Sequence, residues 1–177
     1  IGGPAQRAPR AGAVTSAALR MLQPGDRAPD FTTLDAEGKP VALSALRGQR
    51  VVLYFYPKDD TSDCTEQACG FRDAWRKLRR RGTTVLGVSR DDVKAHRKFA
   101  AKHALPFPLL ADDEHAIAQA YGVWVEKSMY GKKYMGVQRS TFIIGSDGKI
   151  ARVFPRVQPK THDDVVLKAL VEMNTTV

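Results

Sequence analysis

The chain has 177 residues, of which 43% are hydrophobic and 27% are charged, as is typical of a globular protein with one proper core. No apolar run reaches the roughly 18 residues of a membrane-spanning helix. Two cysteines in a chain of this size also argue against a small secreted disulfide scaffold. The net charge of +9 could attract nucleic acid or an anionic surface. We interpret it as solvated helix-end charge, because no nucleic-acid motif or interleaved aromatic residues accompany it.

Residues 1–20 differ in composition from the rest of the chain. They are rich in small residues and carry three arginines and no acid. This composition fits an organelle transit segment, a cloning remnant or a plain flexible tail, and it lacks the apolar segment of a secretory signal. We predict a flexible leader at 1–20 and a single domain at 21–177.

From residue 21 onward, strand and helix patterns alternate. In chain order, the patterns predict a hairpin of 28–34 and 40–43, a buried strand at 51–56, a helix at 64–81, a strand at 83–88, a helix at 91–103, a strand at 107–110, a helix at 113–121, a second hairpin of 140–144 and 150–154, and a closing helix at 161–173. This order predicts an α/β sandwich: a mixed central sheet flanked by helices, with an N-terminal β-hairpin. Such sheets place reactive groups at the carboxyl ends of their strands.

Cys64 lies just past the predicted central strand, at the start of the following helix. A thiol reacts as its thiolate, and the positive potential of a helix N-terminus favours that anion. Cys64 shares one helix face with Ala68, Phe71 and Leu78, so it is predicted to face the sheet. Its position makes it a candidate nucleophile.

Cys69 lies about 140° around the helix from Cys64 and about 7.5 Å along its axis. A regular helix cannot bridge two sulfurs placed in this way. Spacing alone therefore leaves two alternatives open for Cys69: a reactive partner, or merely a small apolar residue.

Metal binding and cysteine-dependent hydrolysis are two other chemistries open to cysteines. A metal site would need ligands beyond the two sulfurs. The four histidines are scattered without ligand spacing, and we interpret them as surface or capping residues: His96, His103, His115 and His162. A cysteine hydrolase would need a paired histidine, which the sequence neither selects nor excludes.

Two blocks of sequence carry a family resemblance. Pro57, Thr61 and Cys64 form the pattern Pro-x-x-x-Thr-x-x-Cys, with Cys69 five residues further on, and a second block at 126–142 contains Arg139. Both blocks resemble the peroxiredoxins, in the Q-type branch also called bacterioferritin comigratory protein. The resemblance runs from about residue 22 to the C-terminus.

The chain departs from the family pattern at one place. Ser62 and Asp63 stand where most Q-type members have Pro-Gly. Asp63 places a negative charge beside the thiol, which by itself disfavours the thiolate, although both residues suit a helix start. The departure concerns the degree of reactivity and not the class of reaction.

The resemblance implies a thioredoxin-like fold and a thiol-dependent peroxidase that reduces hydrogen peroxide and organic hydroperoxides in antioxidant defence. Cys64 is then the peroxidatic cysteine, which becomes a sulfenic acid. Cys69 is the resolving cysteine, which forms an intramolecular disulfide once the helix start unwinds. Thr61 hydrogen-bonds the thiolate and the peroxide, Arg139 stabilises negative charge, and Pro57 shields the thiolate from bulk water.

The resemblance also implies no metal, haem or flavin cofactor, and a dithiol such as thioredoxin as the reductant. We expect a monomer or at most a weak dimer, without nucleic-acid or membrane partners. We expect it to be cytoplasmic, or organellar if residues 1–20 are a transit segment. The alternative is a thioredoxin-like dithiol electron carrier or redox adaptor, although its usual Cys-x-x-Cys is absent. A holdase or nucleic-acid-binding protein is a weaker third hypothesis.

Overall fold

The computed structural model describes residues 20–175, and their side chains as far as residue 173. The predicted leader at 1–20 therefore lies outside the described residues, except for Arg20. Met21 and Leu22 pack against the hydrophobic core. The N–H of Leu22 donates to the carbonyl of Tyr121 at 3.4 Å, so the described chain is attached to the core close to its start.

The described part of the chain contains nine strands, four α-helices and a short 3₁₀-helix at Leu43–Leu46. In chain order they are β1 (Thr32–Leu34), β2 (Pro40–Ala42), β3 (Arg50–Phe55), α1 (Ser62–Arg80), β4 (Thr83–Ser89), α2 (Val93–His103), β5 (Leu109–Ala111), α3 (Ala116–Ala120), β6 (Trp124–Met129), β7 (Lys132–Val137), β8 (Ser140–Ile144), β9 (Ile150–Phe154) and α4 (His162–Thr175). Within these residues, no helix is both long and apolar enough to cross a membrane.

Five strands form the central sheet, in the order β5-β4-β3-β8-β9. β3, β4 and β5 run parallel, whereas β8 is antiparallel to both β3 and β9. The sheet is therefore mixed, as predicted. Two separate hairpins, β1-β2 and β6-β7, complete the strand pairing.

The core lies on both faces of the central sheet. Successive side chains of a strand point to opposite faces. Leu53 and Phe55 accordingly join one apolar cluster, while Val52 and Tyr54 join the other. The second cluster includes Phe71 of α1 and residues of α4. Because both faces are covered, β3 is a continuous apolar run and not an alternating one.

The hairpin of β6 and β7 was not predicted. Its strands carry mostly exposed or half-exposed side chains, so no hydrophobic alternation marks them. The signal that was present is the two-residue turn Tyr130-Gly131, with φ of 52° and 78°. Two successive positive φ values are those of a type I′ turn, in which glycine is favoured.

Helix α3 is shorter than predicted, because it starts at Ala116 and not at residue 113. The carboxylate of Asp112 accepts hydrogen bonds from the N–H groups of Ile117 and Ala118, at 3.0 and 2.9 Å. The residues between Asp112 and Ala116 therefore form a turn in front of the helix.

Candidate active site

Cys64 lies in the first turn of α1, just beyond the carboxyl end of β3, and is 2% exposed. The helix begins after Thr61, whose backbone is extended and whose carbonyl accepts from the N–H of Thr65 at 2.9 Å. The N–H groups of residues 62–64 precede this first helical bond, so they have no carbonyl partner within the helix. Together with the helix dipole they favour negative charge at the position of the sulfur.

Arg139 contacts the thiol directly. Its Nη2 lies 3.0 Å from Sγ of Cys64. The strand register explains the approach: Phe55 at the end of β3 pairs with Ser140 of β8, which brings residue 139 to the start of α1. A guanidinium at this distance stabilises a thiolate by its charge and by a charge-assisted hydrogen bond.

Gln67 also belongs to this site, although no role was predicted for it. It is 1% exposed, and its Oε1 accepts a hydrogen bond from Nη1 of Arg139 at 2.6 Å. Its Nε2 is buried without a hydrogen-bond partner among the described residues. Gln67 follows Cys64 by three positions and therefore shares its helix face, which is the one sequence signal that could have identified it.

The structure places Thr61 and Pro57 in the loop before α1. The hydroxyl of Thr61 donates to the carbonyl of Lys58 at 2.9 Å, so its proton is directed to that carbonyl and not to the thiol. Its lone pairs remain able to accept a hydrogen bond from a peroxide. Pro57 is half-buried and lines a cavity of about 390 Å³ together with Lys127 and Tyr134 of the β6-β7 hairpin. The predicted roles of both residues stay predictions.

A second cation lies on the hairpin side of this site. Burial lowers the pKa of Lys127, and the charge of Arg139 lowers it further, while Cys64 opposes the shift. Two cations near one thiol make the local potential positive.

Two histidines are buried in the core, so their interpretation as surface or capping residues was wrong. His96 is 0% exposed and His162 is 3% exposed. Burial, followed by the charge of Arg139, lowers the pKa of His162 to about 4. Its Nε2 lies 2.8 Å from Oγ1 of Thr141, and its ring packs edge-on against Phe71.

Cys69 is half-buried, and neither cysteine is in a disulfide. Helix α1 is continuous from Ser62 to Arg80, so the two thiols are held apart on different faces of one regular helix. A bond between them requires the first turns of α1 to unwind.

One group of side chains offers three potential metal ligands: Asp59, Asp91 and His96 have ligand atoms within 4.8 Å of one another. These atoms are already engaged with protein partners. Nδ1 of His96 lies 2.6 Å from Oδ2 of Asp59, and Oδ2 of Asp91 accepts from the N–H of Asp59 at 2.8 Å. The group links the loop before α1 to helix α2, and the sequence did not reveal it because its members are up to 37 positions apart.

Comparison with known proteins agrees with this geometry. The model of the AhpC/TSA family matches residues 24–153. The chain is 46% identical over 154 residues to peroxiredoxin Bcp of Escherichia coli, covering 87% of this chain and 99% of that protein. It is 42% identical over 153 residues to peroxiredoxin Bcp of Bacillus subtilis, covering 86% and 98%.

Solved structures give the same result. A mutant of Xylella fastidiosa PrxQ superposes with a TM-score of 0.82 at 33% identity, covering 88% of this chain and 98% of that one. A mutant of Xanthomonas campestris peroxiredoxin Q superposes with a TM-score of 0.81 at 36% identity, covering 86% and 99%.

The chain therefore belongs to the AhpC/TSA family, and the predicted thioredoxin-like α/β fold is confirmed. Within that family its relatives are the Bcp, or Q-type, peroxiredoxins, as the two sequence blocks indicated. It is a thiol-dependent peroxidase.

Proposed function

We propose that Cys64 performs the peroxidase step. Its thiolate attacks the terminal oxygen of a hydroperoxide, the S–O bond forms as the O–O bond breaks, and the leaving oxygen takes a proton to become water or an alcohol. The sulfur is thereby oxidised to a sulfenic acid. Arg139 stabilises the thiolate before attack and the negative charge on the leaving oxygen during it. The lone pairs of Thr61 accept a hydrogen bond from the peroxide O–H, and Pro57 limits the access of water.

The second step transfers the oxidation to Cys69. The first turns of α1 unwind, and the Cys69 thiolate attacks the sulfur of the sulfenic acid. An S–S bond forms as the S–O bond breaks, and the departing hydroxide takes a proton from solvent to leave as water. A dithiol such as thioredoxin then reduces the disulfide by thiol–disulfide exchange, which returns both thiols. The free, half-buried thiol of Cys69 within the same helix supports this role.

The proposed substrates are hydrogen peroxide and organic hydroperoxides. One structural neighbour, the bacterioferritin comigratory protein of Xanthomonas campestris, is described by its alkyl peroxide reduction activity. A cavity on the Pro57 side of the loop before α1 also has Met135 and Val137 in its lining, which would suit the alkyl group of an organic hydroperoxide. We further propose a monomer that acts in a reducing compartment such as the cytoplasm, where a dithiol reductant can complete the cycle.

The observation that carries this proposal is the 3.0 Å contact between Nη2 of Arg139 and Sγ of Cys64 at the N-terminal end of a helix. It is tested by coupled turnover. The protein is mixed with thioredoxin, thioredoxin reductase and NADPH, and NADPH consumption is followed after addition of hydrogen peroxide or cumene hydroperoxide. We expect turnover with both peroxides, and none in Cys64→Ser.

The same assay separates the proposal from an electron carrier. A thioredoxin-like carrier would accelerate the reduction of insulin disulfides and show no peroxide-dependent consumption of NADPH. That pair of results would overturn the proposed peroxidase mechanism.

A further inference from the structure

The loop between β3 and α1 is held by a buried carboxylate that the proposed reaction does not use. Asp59 lies between Pro57 and Thr61 and is 8% exposed. Its Oδ1 accepts from the hydroxyl of Tyr56 at 2.6 Å, and its Oδ2 lies 2.6 Å from Nδ1 of His96. The carboxylate is therefore contacted at both oxygens inside the protein.

His96 is a donor at both ring nitrogens or shares one proton with Asp59. Its Nε2 lies 3.0 Å from the carbonyl of Leu110, which can only accept, so Nε2 carries a hydrogen. Its Nδ1 faces a carboxylate oxygen at 2.6 Å, a contact that also requires a proton between the two atoms. The His96 side chain is 0% exposed and that of Asp59 is 5% exposed, so both groups depend on these contacts and not on water for their hydrogen bonds.

These contacts join the loop to two elements other than α1. The Nε2 bond attaches His96 to β5 of the central sheet. The N–H of Asp59 donates to Asp91, which lies just before α2. The next residue, Asp60, has a positive φ of 61°, and Lys102 of α2 contacts its carboxylate at 3.0 Å. That exposed pair contributes little by itself, so the loop is held mainly by the contacts of Asp59.

We propose that His96 is a positioning residue of the peroxidase. Acting through Asp59, it holds the loop so that Pro57 and Thr61 stay in place around the thiolate, both before attack and while the start of α1 unwinds. His96 touches neither the thiol nor the peroxide. The inference rests on the proposed function, because His96 is argued to hold the loop that surrounds Cys64 during its reaction with peroxide.

The test compares two reactions of Cys64 in the reduced, full-length chain. The first is its oxidation by hydrogen peroxide, and the second is its alkylation by iodoacetamide, followed on the Cys64 peptide by mass spectrometry. Alkylation depends on the thiolate that Arg139 stabilises, whereas peroxide reduction also depends on the loop. Loss of positioning should lower the peroxide rate constant of His96→Gln by roughly 10- to 100-fold and change alkylation by less than about threefold.

Asp59→Asn should show the same selective loss, because it keeps the shape of the side chain and removes its charge. The double variant should react about as slowly as the slower single variant, since the two residues act as one unit. Ile150→Val is the matched control. It alters a buried side chain of the apolar cluster that contains Leu53 and Phe55, not the cluster that contains Cys64, and should leave both rates unchanged. All rates are measured at a temperature where circular dichroism shows each variant folded.

The outcomes separate the two claims. If the unaltered protein fails to oxidise Cys64 with peroxide, the proposed function fails. A second outcome is that the unaltered protein reacts, and that folded His96→Gln and Asp59→Asn have peroxide rate constants within about twofold of that of Ile150→Val. In that case the positioning role is wrong and the pair is merely structural. If His96→Gln does not fold, Asp59→Asn and Tyr56→Phe carry the test with the same criterion.

Discussion

Arg139→Met removes the cation from the thiol while keeping a side chain of similar length. In the structure, Arg139 donates to Sγ of Cys64 at 3.0 Å and to Oε1 of Gln67 at 2.6 Å. Methionine can replace neither hydrogen bond and carries no charge. The variant should therefore lose stabilisation of the thiolate and of the leaving oxygen together.

The size of the loss follows from the geometry. Opposite unit charges about 4 Å apart attract by ~4 kcal/mol at an effective dielectric constant of 20. Arg139 is only half-buried, so solvent screening reduces this value. A hydrogen bond to a charged group contributes about 1.5–3 kcal/mol. A net loss of about 2–3 kcal/mol corresponds to a roughly 30- to 150-fold lower second-order rate constant for Cys64 oxidation.

The rate constant is measured by stopped-flow mixing of the reduced protein with hydrogen peroxide, with tryptophan fluorescence as the signal. The rate constant of Arg139→Lys should lie between those of the unaltered protein and Arg139→Met, because lysine keeps the charge but cannot donate to Cys64 and Gln67 from two nitrogens at once. Arg152→Met is the matched control, since it removes a half-buried arginine far from the thiol in sequence that pairs with Glu172 at 3.3 Å. A rate for folded Arg139→Met within about twofold of that control would refute the electrostatic reasoning.

Three further predictions concern the surroundings of the thiol and the core. Gln67→Leu frees Nη1 of Arg139 and should slow Cys64 oxidation by roughly tenfold in the same stopped-flow assay, because one charge-assisted bond no longer orients the guanidinium; an unchanged rate would exclude that role. The pKa of His162 is lowered to about 4 in the folded protein, compared with about 6.5 in the unfolded chain. Its contribution to the free energy of unfolding is therefore fully present above about pH 6.5 and is lost as the pH falls from about 6.5 through 4. Urea unfolding should give a free energy of unfolding that is about 3 kcal/mol lower at pH 4 than at pH 7. If the free energy of His162→Gln falls equally steeply with pH, the loss comes from other groups. Leu78→Ala empties a 0% exposed site between α1 and the sheet and should cost about 2–5 kcal/mol of unfolding free energy in urea, whereas a cost below about 1 kcal/mol would contradict close packing there.

The layers of the fold were predictable because their signals are local. β3 is a continuous apolar run, and α1 has a regular apolar face and ends at Arg80, two residues before Gly82. Such patterns depend only on which faces are covered. The β6-β7 hairpin was missed because its side chains are mostly exposed, so only its Tyr130-Gly131 turn distinguished it from a loop.

The site was predictable only as far as short motifs reach. The family resemblance carried by Pro57, Thr61 and Cys64 implied the reaction class, and the second block supplied Arg139. Sequence did not reveal that Gln67 would orient this arginine or that the Thr61 hydroxyl would donate to Lys58. Those contacts depend on strand register and on the conformation of the loop.

The burial of two histidines could not be predicted from the sequence either. His96 and His162 have no spacing relation to each other or to the cysteines, and an isolated histidine is most simply interpreted as a surface residue. Their burial follows from the packing of α2 and α4 against the sheet, which brings His96 to Asp59 and His162 to Thr141. A sequence pattern cannot anticipate pairs that form only when distant elements meet.

The central claim is that Cys64 and Cys69 complete a peroxide cycle within one chain. It is tested most directly by adding one equivalent of hydrogen peroxide to the reduced protein and counting free thiols, with intact mass measured alongside. The account predicts rapid loss of both thiols in a monomer lighter by two hydrogens, and a stable product one oxygen heavier in Cys69→Ser. Both thiols surviving for minutes in the unaltered protein would contradict it.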